Sequence, residues 1–124
     1  MMSGKILIID DDASVRQAFL LALEDTNYQV DDAESGEIGL KKYNNEKYDL
    51  IFLDLKMPGL NGAEVLKKIR EKDKEIPIYV VTAFHKEFFT DLQDIKKAGM
   101  EFDLLNKPIG SEQITAVVES VLGE

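Results

Sequence analysis

The sequence predicts an α/β domain built on a doubly wound, five-stranded parallel sheet with five helices. Three observations lead there. Short β-branched runs alternate with longer amphipathic segments, five times over. The runs at the first and third positions are apolar throughout rather than alternating, as strands are when a sheet is covered on both faces. No repeat, low-complexity tract or Pro/Gly/Ser-rich linker breaks the pattern, and successive βα units imply parallel strands with right-handed crossovers. With 124 residues, residues 1–124 are expected to form a single domain. A chain of this size buries roughly two-thirds of its unfolded surface.

Lys5 to Ile9 (KILII) reads as the first strand, ending in acid. Behind it Val15, Ala18, Phe19, Ala22 and Leu23 recur at helical spacing, and Asp12 stands where a helix cap belongs. Tyr28 to Asp32 reads as a short second strand, and Ser35 opens a helix that runs to about Glu46. Leu50 to Leu53 (LIFL) is the third strand and again ends in acid, at Asp54. Pro58, Gly59, Asn61 and Gly62 mark a loop, after which Val65, Leu66 and Ile69 give the third helix. Ile76 to Val81 (IPIYVV) is the fourth strand, ending at Thr82. Phe88, Phe89, Leu92 and Ile95 predict a fourth helix closed by Gly99, with only one of the two adjacent phenylalanines able to face the core. Phe102 to Asn106 is the fifth strand. Ser111 is expected to cap a last helix carrying Ile114, Val117, Val118, Val121 and Leu122.

Composition narrows the function. Fifteen basic residues against 24 acidic ones give a net charge of −9, which argues against nucleic acid or an anionic membrane as a main partner. The chain has no cysteine, so disulfides, thiolate metal sites and cysteine nucleophiles are excluded. Its one histidine, His85, leaves no multi-histidine metal site and reads as a loop residue. No apolar run is long enough to span a membrane, and Met-Met-Ser-Gly-Lys lacks signal-peptide anatomy. A cytoplasmic location is expected.

Doubly wound sheets bind ligands at the carboxyl ends of their strands, beside the topological switch point. That edge receives Asp10-Asp11-Asp12, Asp54, Thr82-Ala83 and Lys107-Pro108. The carboxylates of Asp10, Asp11 and Asp54 would repel one another there unless a cation joined them. An all-oxygen donor set suits Mg²⁺. Lys107 adds a fixed positive charge and Thr82 a hydroxyl. A carboxylate between a cation and a lysine is a poor general base, since both lower its pKa. It is well placed as an oxygen nucleophile toward phosphorus, with cation, lysine and hydroxyl all facing the phosphoryl oxygens. An aspartyl phosphate on Asp54 is the resulting expectation. Each residue alone has a plainer reading as a cap, a strand-end hydroxyl or a solvated lysine, and Asp12 keeps it. Their coincidence at one edge favours the chemistry.

The pattern IIDDD, then DLKMPGLNG from Asp54, then VVTA, then NKP resembles the receiver domain of bacterial two-component response regulators, from Lys5 to Leu122. The resemblance implies a flavodoxin-like strand order, 2-1-3-4-5, and a phosphoacceptor signalling switch. It implies that Asp54 accepts the phosphoryl group and that Asp11 binds Mg²⁺ directly, together with the Asp54 carboxylate and the backbone carbonyl of Lys56. Asp10 would act through a bound water. Thr82 would be the switch hydroxyl and Lys107 its partner, with a cis peptide before Pro108 and the small Ala83 leaving room for the phosphoryl group. The donor would be a phosphohistidine on a sensor histidine kinase or histidine phosphotransfer protein. The domain would catalyse only its own phosphorylation and dephosphorylation, not the turnover of a diffusible product. The first helix, around Ser14, Val15 and Ala18, would dock the kinase. The fourth helix, fifth strand and fifth helix would form the output or homodimer face, with the downstream effector left open, and neither nucleic acid nor membrane would be bound directly. Two features depart from the family pattern. Leu104 stands where relatives carry an aromatic residue, and the Gly99-to-Lys107 stretch is one residue longer, so the relay is expected to run through Thr82 and loop motion. Phe84, a bulky residue two past Thr82, is expected to slow hydrolysis by excluding water. A Mg²⁺-dependent phosphohydrolase would need an acid where Lys56 stands. A flavin or nucleotide module would need a phosphate loop where DDDAS stands. A degenerate receiver acting only as a binding module would not need the complete set of acids, hydroxyl and lysine.

Overall fold

The computed structural model describes residues 4–83 and 86–123, so the readings of Phe84 and His85 lie outside the described residues. Five strands, β1 (Lys5–Ile9), β2 (Gln29–Ala33), β3 (Leu50–Asp54), β4 (Ile78–Thr82) and β5 (Asp103–Asn106), form one sheet in the order β2-β1-β3-β4-β5. Every pairing is parallel. The helices are α1 (Ala13–Leu23), α2 (Gly36–Asn45), α3 (Gly62–Lys72), α4 (Phe89–Lys97) and α5 (Ser111–Leu122), with a 3₁₀ turn, Lys86–Phe88, leading into α4. The expected class and strand order are those found.

The unbroken apolarity of β1 and β3 has a direct cause. Side chains alternate between faces, and both faces are covered. Leu7, Ile9, Ile51 and Leu53 point into a core closed by α2, α3 and α4 through residues such as Leu40, Val65, Leu66, Ile69 and Ile95. Ile6, Ile8, Leu50 and Phe52 point the other way, into a core closed by α1 and α5 through Phe19, Leu23, Ile114 and Val118. Phe19 lies tilted on Phe52 with ring centroids 4.7 Å apart, and burying side chains of this size stabilises by roughly 1.5–3 kcal/mol each. The outer strands are less covered. β2 (QVDDA) is mostly half-buried and β5 (DLLN) mostly exposed. Among the described residues, no helix is long and apolar enough to cross a membrane.

Element ends differ from expectation in four places, at β4, β2, β5 and the start of α5. β4 begins at Ile78 rather than Ile76. Pro77 has no N–H to give the ladder, although its carbonyl accepts from Ile51 at 3.0 Å, and the Ile76 N–H goes instead to the Asp73 side chain at 3.0 Å. β2 and β5 each start one residue late, at Gln29 and Asp103. Ser111 is not a cap. Gly110 holds the extended backbone that a cap position requires, and Ser111 is already helical. The phenylalanine pair divides as expected, with Phe88 buried and Phe89 57% exposed.

Register brings the strand ends together. Ile9 pairs with Leu53, Asp54 with Val81, and Thr82 with Asn106. Asp10, Asp54, Thr82 and Lys107 therefore follow one another along a single edge.

Candidate functional site

Asp10 leaves β1 with its carboxylate buried, only 2% exposed. Its main chain is held on both sides. The N–H donates to the Ala33 carbonyl at 3.1 Å, and the carbonyl accepts from Arg16 Nη1 at 2.8 Å. Arg16 Nε in turn donates to Asp32 Oδ2 at 2.9 Å, so one guanidinium ties the end of β2 to the end of β1. Asp10 Oδ1 accepts from the Asp12 N–H at 2.9 Å. Asp12 turns outward and caps α1, accepting from the N–H and hydroxyl of Ser14 at 2.9 and 2.7 Å.

Asp54 ends β3 and is 5% exposed. The loop behind it closes tightly. The Gly62 N–H donates to the Leu55 carbonyl at 2.8 Å, and a Cβ on Gly62 would stand 2.0 Å from the Asp54 carbonyl oxygen. Only glycine lets α3 begin there. Asn61 and Glu64 complete a reciprocal capping box at its first turn. Thr82 is buried at the end of β4, one step beyond the register partner of Asp54. Ala83 follows it.

Lys107 enters from the far side, its N–H donating to the Thr82 carbonyl at 2.8 Å and its peptide to Pro108 cis. The ammonium Nζ lies 3.1 Å from Asp10 Oδ2 and 3.3 Å from Asp54 Oδ1. Asp10, Asp11 and Asp54 each offer a carboxylate oxygen, all within 4.8 Å of one another. Asp11, Asp12, Asp54, Lys56, Met57, Pro58 and Lys107 line an open cleft of about 540 Å³.

The electrostatics follow from burial. Asp54 is pushed up to about 6, first by burial and then by the charge of Asp10, against the opposing pull of Lys107. Asp10 is raised too, again mainly by burial, with the Asp12 N–H and Lys107 pulling the other way. Burial alone would lower Lys107, but the two carboxylates outweigh it and hold the ammonium above its ordinary value. The sequence predicts a lowered Asp54, flanked by lysine and cation. Lys107 does pull Asp54 down, but burial and the charge of Asp10 outweigh that one lysine when no cation is bound. When all are ionised, the three acids and Lys107 carry a net charge of −2, which a divalent cation would balance. The donors are all oxygen, and Asp11 is exposed, open to the waters that such an ion retains. The residues fit a divalent cation.

The structure thus brings Asp10, Asp11, Asp54 and Lys107 together, sets Thr82 beside them, and lines the cleft with Lys56. The side-chain amine of Lys56 points away, 3.4 Å from Glu87 Oε1. Leu104 is 52% exposed on β5 and lines an apolar groove with Phe89, Leu92 and Phe102. Arg16 and Gly62 were not legible as site residues. Arg16 sits at an ordinary position on α1, and only the fold shows that it reaches back to Asp10.

Residues 6–119 match the family model for the response regulator receiver domain. The transcriptional regulatory protein ResD of Bacillus subtilis is 40% identical over 95% of this chain and 48% of its own length. The alkaline phosphatase synthesis transcriptional regulatory protein PhoP of the same species is 37% identical over 98% of this chain and 49% of its own. The chain thus spans about half the length of these relatives. Among solved structures, Vibrio cholerae chemotaxis protein CheY4 superposes with a TM-score of 0.82 at 30% identity, covering 97% of this chain and 99% of that one. A CheY-like receiver domain protein from Methanospirillum hungatei gives 0.84 at 26% identity, covering 96% and 93%. A matching family model over most of the chain, the shared fold, and acids and a lysine converging at one sheet edge lead to one conclusion: this chain belongs to the response regulator receiver domain family.

Proposed function

We propose that Asp54 is the phosphoacceptor of this receiver domain, and that the domain works as a phosphorylation switch with Mg²⁺ as its cofactor. The observation that carries this is the convergence of Lys107 on Asp54 and Asp10, with Asp11 completing a three-carboxylate cluster. Asp11, the Asp54 carboxylate and the Lys56 carbonyl would hold the ion, with Asp10 acting through a water. Once bound, Mg²⁺ supplies positive charge against the phosphoryl oxygens. Asp54 attacks phosphorus through one carboxylate oxygen. The new O–P bond replaces the P–N bond of a phosphohistidine, and the imidazole leaves with the bonding pair. Burial keeps the nucleophile poorly solvated, and its pKa of about 6 leaves most of it ionised at neutral pH. Lys107 stays charged and faces the charge that develops. The Thr82 hydroxyl donates to a phosphoryl oxygen, and Ala83 leaves space beside it.

The donor is a sensor histidine kinase or a histidine phosphotransfer protein that docks at α1. Output runs through α4, β5 and α5, the surface of a homodimer or of an effector contact. With Leu104 in place of an aromatic ring, the relay runs through Thr82 and the β4–α4 connection. The domain sits in the cytoplasm, forms one unit over residues 1–124, and contacts neither nucleic acid nor membrane itself. Incubation with Mg²⁺ and acetyl phosphate, followed by intact-mass measurement, tests the reading. The wild-type chain gains one phosphoryl group and Asp54→Ala gains none. A wild type that stays unmodified, or an Asp54→Ala variant modified to the same extent, overturns it.

A further inference from the structure

The loop from Leu55 to Asn61 carries the Lys56 carbonyl, so its shape decides where that oxygen stands. One end is tied by the Gly62–Leu55 hydrogen bond. The middle is tied from α2. Glu37, in the first turn of α2, accepts the Leu60 N–H on Oε2 at 3.1 Å. Two glycines make room for this contact. Gly59 has φ +75°, and a Cβ there would lie 2.8 Å from Glu37 Oε2. A Cβ on Gly36 would lie 2.6 Å from the Leu60 carbonyl oxygen, so the start of α2 rests directly on the loop. Ser35 fixes that start, accepting the Ile38 N–H at 3.1 Å. Between the two ties run Lys56, Met57 and Pro58, the part of the loop that lines the cleft.

We propose that Glu37 is a positioning residue for the cation site, acting through Leu60 to hold the loop that presents the Lys56 carbonyl. This rests on the reading of that carbonyl as a ligand. Glu37 does not touch the site. Its carboxylate satisfies a loop N–H that would otherwise turn to water, and so narrows the conformations open to residues 56–58. The role belongs to the acceptor oxygen rather than to the charge, so a glutamine, which keeps an acceptor there, preserves it.

The test compares wild type, Glu37→Ala and Glu37→Gln in the full chain, ¹⁵N-labelled. Amide exchange at Leu60 is measured without metal, and Mg²⁺ is then titrated while the Lys56 and Met57 amide shifts are followed. Glu37→Ala is expected to speed exchange at Leu60 and to weaken Mg²⁺ binding about fivefold, the effect of one exposed hydrogen bond. Glu37→Gln stays close to wild type in both. Unchanged Mg²⁺ affinity in Glu37→Ala, or a glutamine variant that behaves like the alanine one, overturns the proposal. A wild type that binds no Mg²⁺ fails the site reading instead, and metal-free exchange at Leu60 still shows whether Glu37 clamps the loop.

Discussion

Asp54 pays for its position with desolvation, and the cost is measurable. Its pKa stands at about 6, against an ordinary 3.8, so between these values the folded chain binds more protons than the unfolded one. Stability therefore falls as pH rises through that window, by about 3 kcal/mol from this group alone. Asp10 acts in the same direction. Asp54→Asn removes the penalty, and thermal unfolding of metal-free protein at pH 7.5 should show the variant more stable than wild type by ~1–3 kcal/mol, with a flatter profile between pH 4 and 6. Lys107→Met does the opposite, leaving the clustered acids without their fixed counter-charge. It should lose ~2 kcal/mol in the same assay and should phosphorylate far more slowly with acetyl phosphate. These two variants separate stability from chemistry. The first should gain stability and lose the proposed acceptor, while the second should lose on both counts.

Elements set these residues in place, and the helix ends show how much of that was legible. Asp12, Ser35 and the Asn61-to-Glu64 box all cap the helices that follow them. Spacing in the sequence predicts the first two, because a capping oxygen needs only its own neighbours. Ser111 misled for the same reason, since a serine before an apolar stripe is a good cap only if its backbone is extended. Asn61→Ala is expected to cost about 1 kcal/mol in urea denaturation, and Ser111→Ala close to nothing. Gly62 belongs to this scale too. A methyl group at that position meets the Asp54 carbonyl at 2.0 Å, so Gly62→Ala must push α3 away from β3, with a loss of ~1–3 kcal/mol in the same measurement. Phosphorylation should slow as well, because the displaced carbonyl belongs to the proposed acceptor residue.

For the whole molecule, the fold class was readable because β1 and β3 are buried on both faces and so lack alternation. The sheet edges were harder to bound. β2 and β5 are partly exposed, so their apolar pattern is weak and their starts shifted by a residue. The site was legible for a related reason. A parallel sheet gathers the carboxyl ends of its strands, so residues 10, 54, 82 and 107 meet although far apart in sequence. What stayed hidden depends on tertiary reach: Arg16 bridging two strands, Glu37 reaching a loop from another helix, and the depth of burial that outweighs Lys107 at Asp54. The net −2 of acids and lysine also has a global consequence. On the proposed reading Mg²⁺ would bind only where the fold assembles the cluster, so it should raise the unfolding free energy by about 2.7 kcal/mol at a hundred times its dissociation constant, and a chelator should reverse this. Asp11→Ala should abolish most of that gain.

The most direct measurement is the chemical identity of the acceptor. Acyl phosphates are reduced by borohydride, so an aspartyl phosphate leaves homoserine in its place. After treatment with Mg²⁺ and acetyl phosphate, then borohydride, peptide mass spectrometry should find homoserine at position 54, only when Mg²⁺ is present. Homoserine at another acid, or equal yield without the metal, would contradict the account.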